Sequence, residues 1–298
     1  MRYSLLLILF FAFTSAVVAQ RVSGKVTDTA GKSIEYVNIG LAGTTTGVIS
    51  NARGDFSIYI PDSLSRQEMV FSHLSYDPLT VPASELVRRM ALGEEIEVRL
   101  PERSIRIEEI VVFSGKARYR RVGAGHLGAN RNGAWSARPR RPAIAPSEIP
   151  VEWGDSLYRD EYNGEIMSAL KIKQPMLLRE VSFPVLKMTH DSILLRINFY
   201  TKNGDDFLPL HQFPVYTMVP HTLEKTYLDV DVSDEQIVVR PGKCYIGLEL
   251  VRYYGYRPDG VFLMPFHWGE GYRKTGIDRF EEVQAHTGIQ AYGRLLPE

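Results

Sequence analysis

The 298-residue chain holds one cysteine, no excess of either charge and, past its first residues, no apolar run of membrane-spanning length. Each absence excludes something. A lone Cys244 cannot close an intrachain disulfide, so the fold must rest on its core, and this cysteine reads as a small buried hydrophobe in a strand. A helical span needs about 20 apolar residues, and nothing after the N-terminus approaches that. The 35 basic and 35 acidic side chains cancel, which argues against a wholly basic nucleic-acid binder. The seven histidines (His73, His126, His190, His211, His221, His267, His286) show neither H-x-H nor H-E-x-x-H spacing, and no metal or cofactor is expected.

What is present begins with a compartment signal. Arg2, an apolar run over residues 5–13 and small residues up to Ala19 read as a secretory signal peptide over residues 1–19, cut before Gln20. The expectation is an exported protein, periplasmic or associated with the outer membrane. No cysteine follows the run, so no acylated N-terminal Cys is expected, and association with the membrane would be peripheral.

The neutral total hides a pattern. Residues 20–113 sum to -3, residues 114–150 to +7 and residues 151–298 to -5. The basic middle (Lys116, Arg118, Arg120, Arg121, Arg131, Arg138, Arg140, Arg141) is interspersed with Gly and Pro and lacks apolar period, so it reads as an interdomain linker. A solvated spacer is its plain reading, and contact with an acidic partner or anionic head groups is the sharper one. Nucleic acid is not expected, since Tyr119 and Trp135 are too sparse for a stacking platform.

Residues 20–113 read as short strands between turn signals. Residues 21–26, 36–41, 45–48, 56–60, 69–74, 96–100 and 107–112 are strand candidates, and residues 84–90 the one helical stretch. Gly24 to Asp28, Gly31, Val37-Asn38-Ile39, Thr45-Thr46-Gly47, Asn51 with Gly54-Asp55-Phe56, and Phe71 to Tyr76 together resemble the carboxypeptidase-regulatory-like domain. Ser75 departs from the pattern, where the family usually has glycine. The resemblance implies a transthyretin-like, Ig-like β-sandwich over about residues 21–112, an accessory module of exported and outer-membrane proteins without catalytic residues of its own.

Residues 151–298 are also strand-rich, with candidates at 177–183, 192–200, 227–232, 237–239, 244–251, 261–264 and 289–292. The whole chain is therefore expected to be all-β, with a second, jelly-roll-like sandwich after the linker.

Several motifs invite chemistry. Gly154-Asp155-Ser156-Leu157 spells the nucleophile block of an esterase, but no Asp-x-x-His follows and the strand-helix alternation of that fold is missing. Gly123-x-Gly125-x-x-Gly128 has the spacing of a dinucleotide loop without its flanking strand and helix. Asp229, Asp231, Asp234 and Glu235 crowd carboxylates as calcium would require, although a solvated strand face is the plainer account. Most suggestive are Tyr253, Tyr254, Tyr256, Trp268 and Tyr272, interleaved with glycines and charged groups. Flat rings with polar neighbours can stack on sugars or anchor a protein. Packing of the same rings into core and loops is the plainer account. The function expected is a non-enzymatic binding or scaffolding module for an envelope protein or glycan. The alternative is a secreted hydrolase with its site in the C-terminal domain, around Ser156 or around His267 and Glu270.

Overall fold

A computed structural model describes residues 19–103, 117–123, 134–137, 164–221, 223–255 and 261–297. The described chain is all-β but for the helix α1 (Ala83–Ala91) and two single 3-10 turns.

The first sandwich faces a three-stranded sheet, β4 (Asp55–Pro61), β1 (Ala19–Asp28) and β7 (Glu97–Leu100), against a four-stranded one. The latter runs β3 (Gly47–Ile49), β2 (Asn38–Leu41), β5 (Glu68–His73) and β6 (Tyr76–Pro82). Strict alternation on β4 sends Phe56, Ile58 and Ile60 inward to meet Val22, Phe71 and Leu100. The turn into β4 is set by Asn51, whose Oδ1 accepts from the Arg53 and Asp55 amides at 2.8 and 2.9 Å. Strand β2 breaks the one-sided rule: all four of its residues are buried, because its outer face is covered by the second domain.

The second sandwich pairs two seven-stranded sheets. One runs β13 (Asp206–Pro209), β12 (Ser192–Asn203), β17 (Gly242–Tyr254), β10 (Glu165–Ile172), β19 (His267–Lys274) and β20 (Phe280–His286), with β14 (Val215–Pro220) also on β12. The other runs β8 (Tyr119–Gly123), β21 (Gln290–Leu295), β11 (Met176–Met188), β18 (Phe262–Pro265) and β9 (Ala134–Ala137). In it, β15 (Glu224–Asp231) and β16 (Val238–Val239) also pair with β11. Ile193, Leu195, Ile197 and Phe199 from β12 meet Ile246, Leu248 and Leu250 from β17 and Phe183 and Val185 from β11 in one core. Cys244 is buried there too, and burial pushes its thiol up to about 12.

The basic stretch 114–150, expected to be a linker, instead supplies two of these strands. β8 zips onto β21 at one edge of the second sheet, and β9 onto β18 at the other. Backbone pairing needs no apolar period, and the charges find partners: Arg121 bonds Glu180 at 2.9 Å and lies over the Tyr292 ring. The candidate strand 107–112, Ser156, Gly125, Gly128 and Tyr256 lie outside the described residues.

Candidate functional site

Strands β12, β17 and β10 are buried on both faces, so their outward side chains deserve the same accounting as the core. On β12 these are Leu194, Arg196, Asn198 and Tyr200. Register places Arg196 opposite Glu249, and Glu249 opposite Glu165, whose other neighbour is Lys274 on β19. A charged row thus crosses four strands at the seam between the domains.

Arg196 donates from Nε and Nη2 to Glu249 Oε2 at 2.8 and 2.7 Å, with side-chain exposures of only 3% and 2%. Its Nη1 crosses the seam to the Tyr36 carbonyl at 3.0 Å. Asn38 of β2 returns the crossing, donating to Glu249 Oε1 at 2.9 Å. The Asn198 amide nitrogen serves both carboxylates, Glu165 Oε1 at 3.0 Å and Glu249 Oε2 at 3.3 Å, while the Tyr200 hydroxyl donates to Glu165 Oε2 at 3.1 Å. Burial, followed by the neighbouring Glu249 charge, pushes the Glu165 carboxyl up to about 7; Lys274 and the two hydrogen bonds pull the other way. Across the seam, burial and then Arg196 hold His73 down to about 3.

An apolar and a polar border complete the seam. Tyr36, Ile49, Leu194 and Val251 cluster with Tyr216 and Tyr254, and Tyr36 packs edge-on to Tyr216 at 5.4 Å. Tyr36 sits at φ 52, a left-handed conformation that costs a bulky residue energy and is retained here where its carbonyl meets Arg196. Asp278 accepts from the Gly43 amide at 3.0 and 3.1 Å, and Gly276 lies so close to Thr44 that a Cβ there would meet its carbonyl at 2.1 Å. Ser75, the departure from the family pattern, donates across the seam to the Gln212 carbonyl at 2.8 Å.

Beyond the seam the same face carries an aromatic recess. Phe207 packs against Tyr200, Tyr245, Tyr272 and Phe280 with centroids 4.9 to 6.0 Å apart. Lys202 donates to the Tyr272 hydroxyl at 2.9 Å, and Glu270 takes Tyr245 at 2.9 Å as well as the Lys243 ammonium. Around the corner a cleft of about 680 Å³ is lined by Lys202, Phe213, Arg240, Lys243 and Tyr245, with His211 at its wall. His211 is engaged structurally: Nε2 accepts from the Phe199 amide at 3.2 Å and Nδ1 faces the Phe213 carbonyl at 2.8 Å.

Of the five aromatic residues singled out from sequence, the four among the described residues do not form one surface. Tyr253 is in the main core against His190, Tyr254 belongs to the seam, and Tyr272 is 7% exposed within the recess. Trp268 alone stands out, at 73% exposure. Their closeness in sequence spans β17 and β19, where alternation sends neighbours to opposite faces. Tyr272 converges with Tyr200, Phe207 and Tyr245, and those three were missed; the outward positions of β12 and β17 were the signal for Tyr200 and Tyr245. Among the carboxylates read for calcium, Asp229 accepts from Ser182 Oγ at 2.5 Å and Asp231 caps the Ser233 amide at 2.8 Å. Among the described residues no three His, Cys, Asp or Glu side chains are grouped to hold a metal ion. His267 stacks on His286 at 5.5 Å, and Glu270 is engaged by Lys243 and Tyr245.

Fold and site together define a two-sandwich all-β protein whose domains meet through a buried polar seam. The family model of the CarboxypepD_reg-like domain matches residues 22–112, and that stretch is a domain of this family. No curated protein matches the chain. Among solved structures it is similar to the cysteine protease and lectin-like domains of Cwp84, a surface layer associated protein of Clostridium difficile. That match has 10% identity and a TM-score of 0.33, and covers 45% of this chain and 32% of that one. It is also similar to infectious bursal disease virus, Gt strain, with 12% identity and a TM-score of 0.24 over 94% of this chain and 61% of that one. The chain therefore spans about a third and about three-fifths of these two proteins.

Proposed function

We propose that the protein is an exported, non-enzymatic component of a bacterial cell envelope, in which the CarboxypepD_reg-like domain and the second sandwich act as one binding or scaffolding unit for an envelope protein or glycan. The observation that carries this reading is the CarboxypepD_reg-like sandwich itself, joined to its neighbour through buried bonds and not through a spacer alone. The signal-like residues 1–19 support export. Trp268, with its large exposed ring, is the contact point this reading favours, and Phe280 and Phe213 at the rims of recess and cleft are the next.

The test is a pull-down from envelope extract alongside a glycan array, using the full chain and a Trp268→Ala variant. The reading expects a retained protein or glycan and a loss of tenfold or more with Trp268→Ala. Fractionation to the cytoplasm would remove the envelope assignment. Unchanged retention by the variant would remove Trp268 from the contact surface.

A further inference from the structure

The seam holds two carboxylates, Glu165 and Glu249, and the guanidinium between the domains, Arg196, is spent on only one of them. Glu165 is left with neutral donors, Asn198 and Tyr200, and with Lys274 as its cross-strand neighbour. Its carboxylate lies over Gly247, where a Cβ would meet Oε1 at 1.7 Å, so the absent side chain at 247 is what makes room for it. The same Asn198 amide ties Glu165 to Glu249, and Glu249 is the residue that Asn38 grips from the other domain. Ionising Glu165 therefore places a second negative charge beside the carboxylate that Asn38 bonds across the seam and that holds Arg196.

We propose that Glu165 is a proton-held latch: with its proton in place the two sandwiches dock through Asn38, Tyr36 and Arg196, and loss of the proton loosens the seam. The groups facing it from every packed element enter the balance. From β17 comes Glu249, which favours the protonated form, and from β19 comes Lys274, which opposes it. From β12 come Arg196, Asn198 and Tyr200, and from the first domain Asn38, with His73 and Arg103 behind the Arg196 end.

Linkage fixes the sign. A carboxyl raised in the docked state stabilises docking below its ordinary value near 4.5 and loses that contribution as pH climbs to about 7. His73 and His211, both lowered, act oppositely, stabilising above 6.5 and failing as the solution turns acid. Wild type alone therefore mixes the two trends, and the comparison with Glu165→Gln isolates the latch.

The experiment follows hydrogen exchange of peptides covering residues 34–50 and 192–200 in the full chain between pH 4.5 and 8.5, corrected for intrinsic exchange, with small-angle scattering in parallel. The ratio of seam opening in wild type to that in Glu165→Gln should rise by up to tenfold per pH unit up to about pH 7 and then level off. A ratio that does not vary with pH overturns the latch. Should Glu165→Gln fail to fold, Lys274→Met serves: removing the opposing cation should move the opening further up the pH scale while it persists, whereas a pH-independent loosening overturns the proposal.

Discussion

Arg196 and Glu249 carry the sharpest residue-scale expectation. Removing one partner of a buried ion pair leaves the other charge stranded in low dielectric, so Arg196→Met should cost about 3–5 kcal/mol. The double variant Arg196→Met/Glu249→Leu should recover much of that, and urea unfolding of the three proteins reads both numbers. Equal stability of Arg196→Met and wild type would show that the pair is hydrated. Gly247→Ala should cost about 1–3 kcal/mol because its methyl displaces the Glu165 carboxylate. Trp268→Ala, by contrast, removes an exposed ring and should stay within about 0.5 kcal/mol. The charged pair was half legible in sequence: Arg196 inside Leu194-Leu195-Arg196-Ile197 and Glu249 inside Ile246-Gly247-Leu248-Glu249-Leu250 interrupt apolar strands, and a charge in a strand buried on both sides demands a partner. Which partner was not legible, since Asn38 and Glu249 stand 211 residues apart and no local pattern links them.

Elements divide by how local their causes are. β1, β4, β5 and α1 were readable because their alternation, turn glycines and helical period are contained within a few residues. β6 was not, since Pro78 and Pro82 and an exposed face disguise an edge strand. β19 was hidden by Gly269 and Gly271 and by a register shift between Trp268 and Gly271, so a strand carrying a bulge is absent from the strand candidates. β8 was hidden by its arginines, which look like solvated linker until Glu180 and Tyr292 are beside them. Its pairing is testable: Arg121→Glu places like charge against Glu180 and should raise exchange of the β21 amides severalfold, with the first domain's amides unaffected. A β21 pattern indifferent to the change would mean that backbone pairing alone holds the strand.

At the scale of the whole molecule, the seam and the two zipped strands make a chain that should behave as one body. A protease site introduced within residues 140–160 and cut in the folded protein should leave two fragments that co-elute in size exclusion at neutral pH. Fragments that separate at once would restore the picture of two beads on a spacer. His73, held down to about 3 when folded, should take stability away on acidification below pH 6.5, read as the difference between the pH profiles of wild type and His73→Gln because Glu165 works the other way over part of that range. The reach of the seam has a further consequence in time. Synthesis runs from the N-terminus, so the first sandwich can complete its own core long before Arg196, Glu249 and finally Asp278, 235 residues beyond its partner Gly43, exist. Until then Tyr36, Ile49 and the outer face of β2 remain uncovered, and the unfinished chain carries a sticky flank that a holding chaperone would be needed to shield.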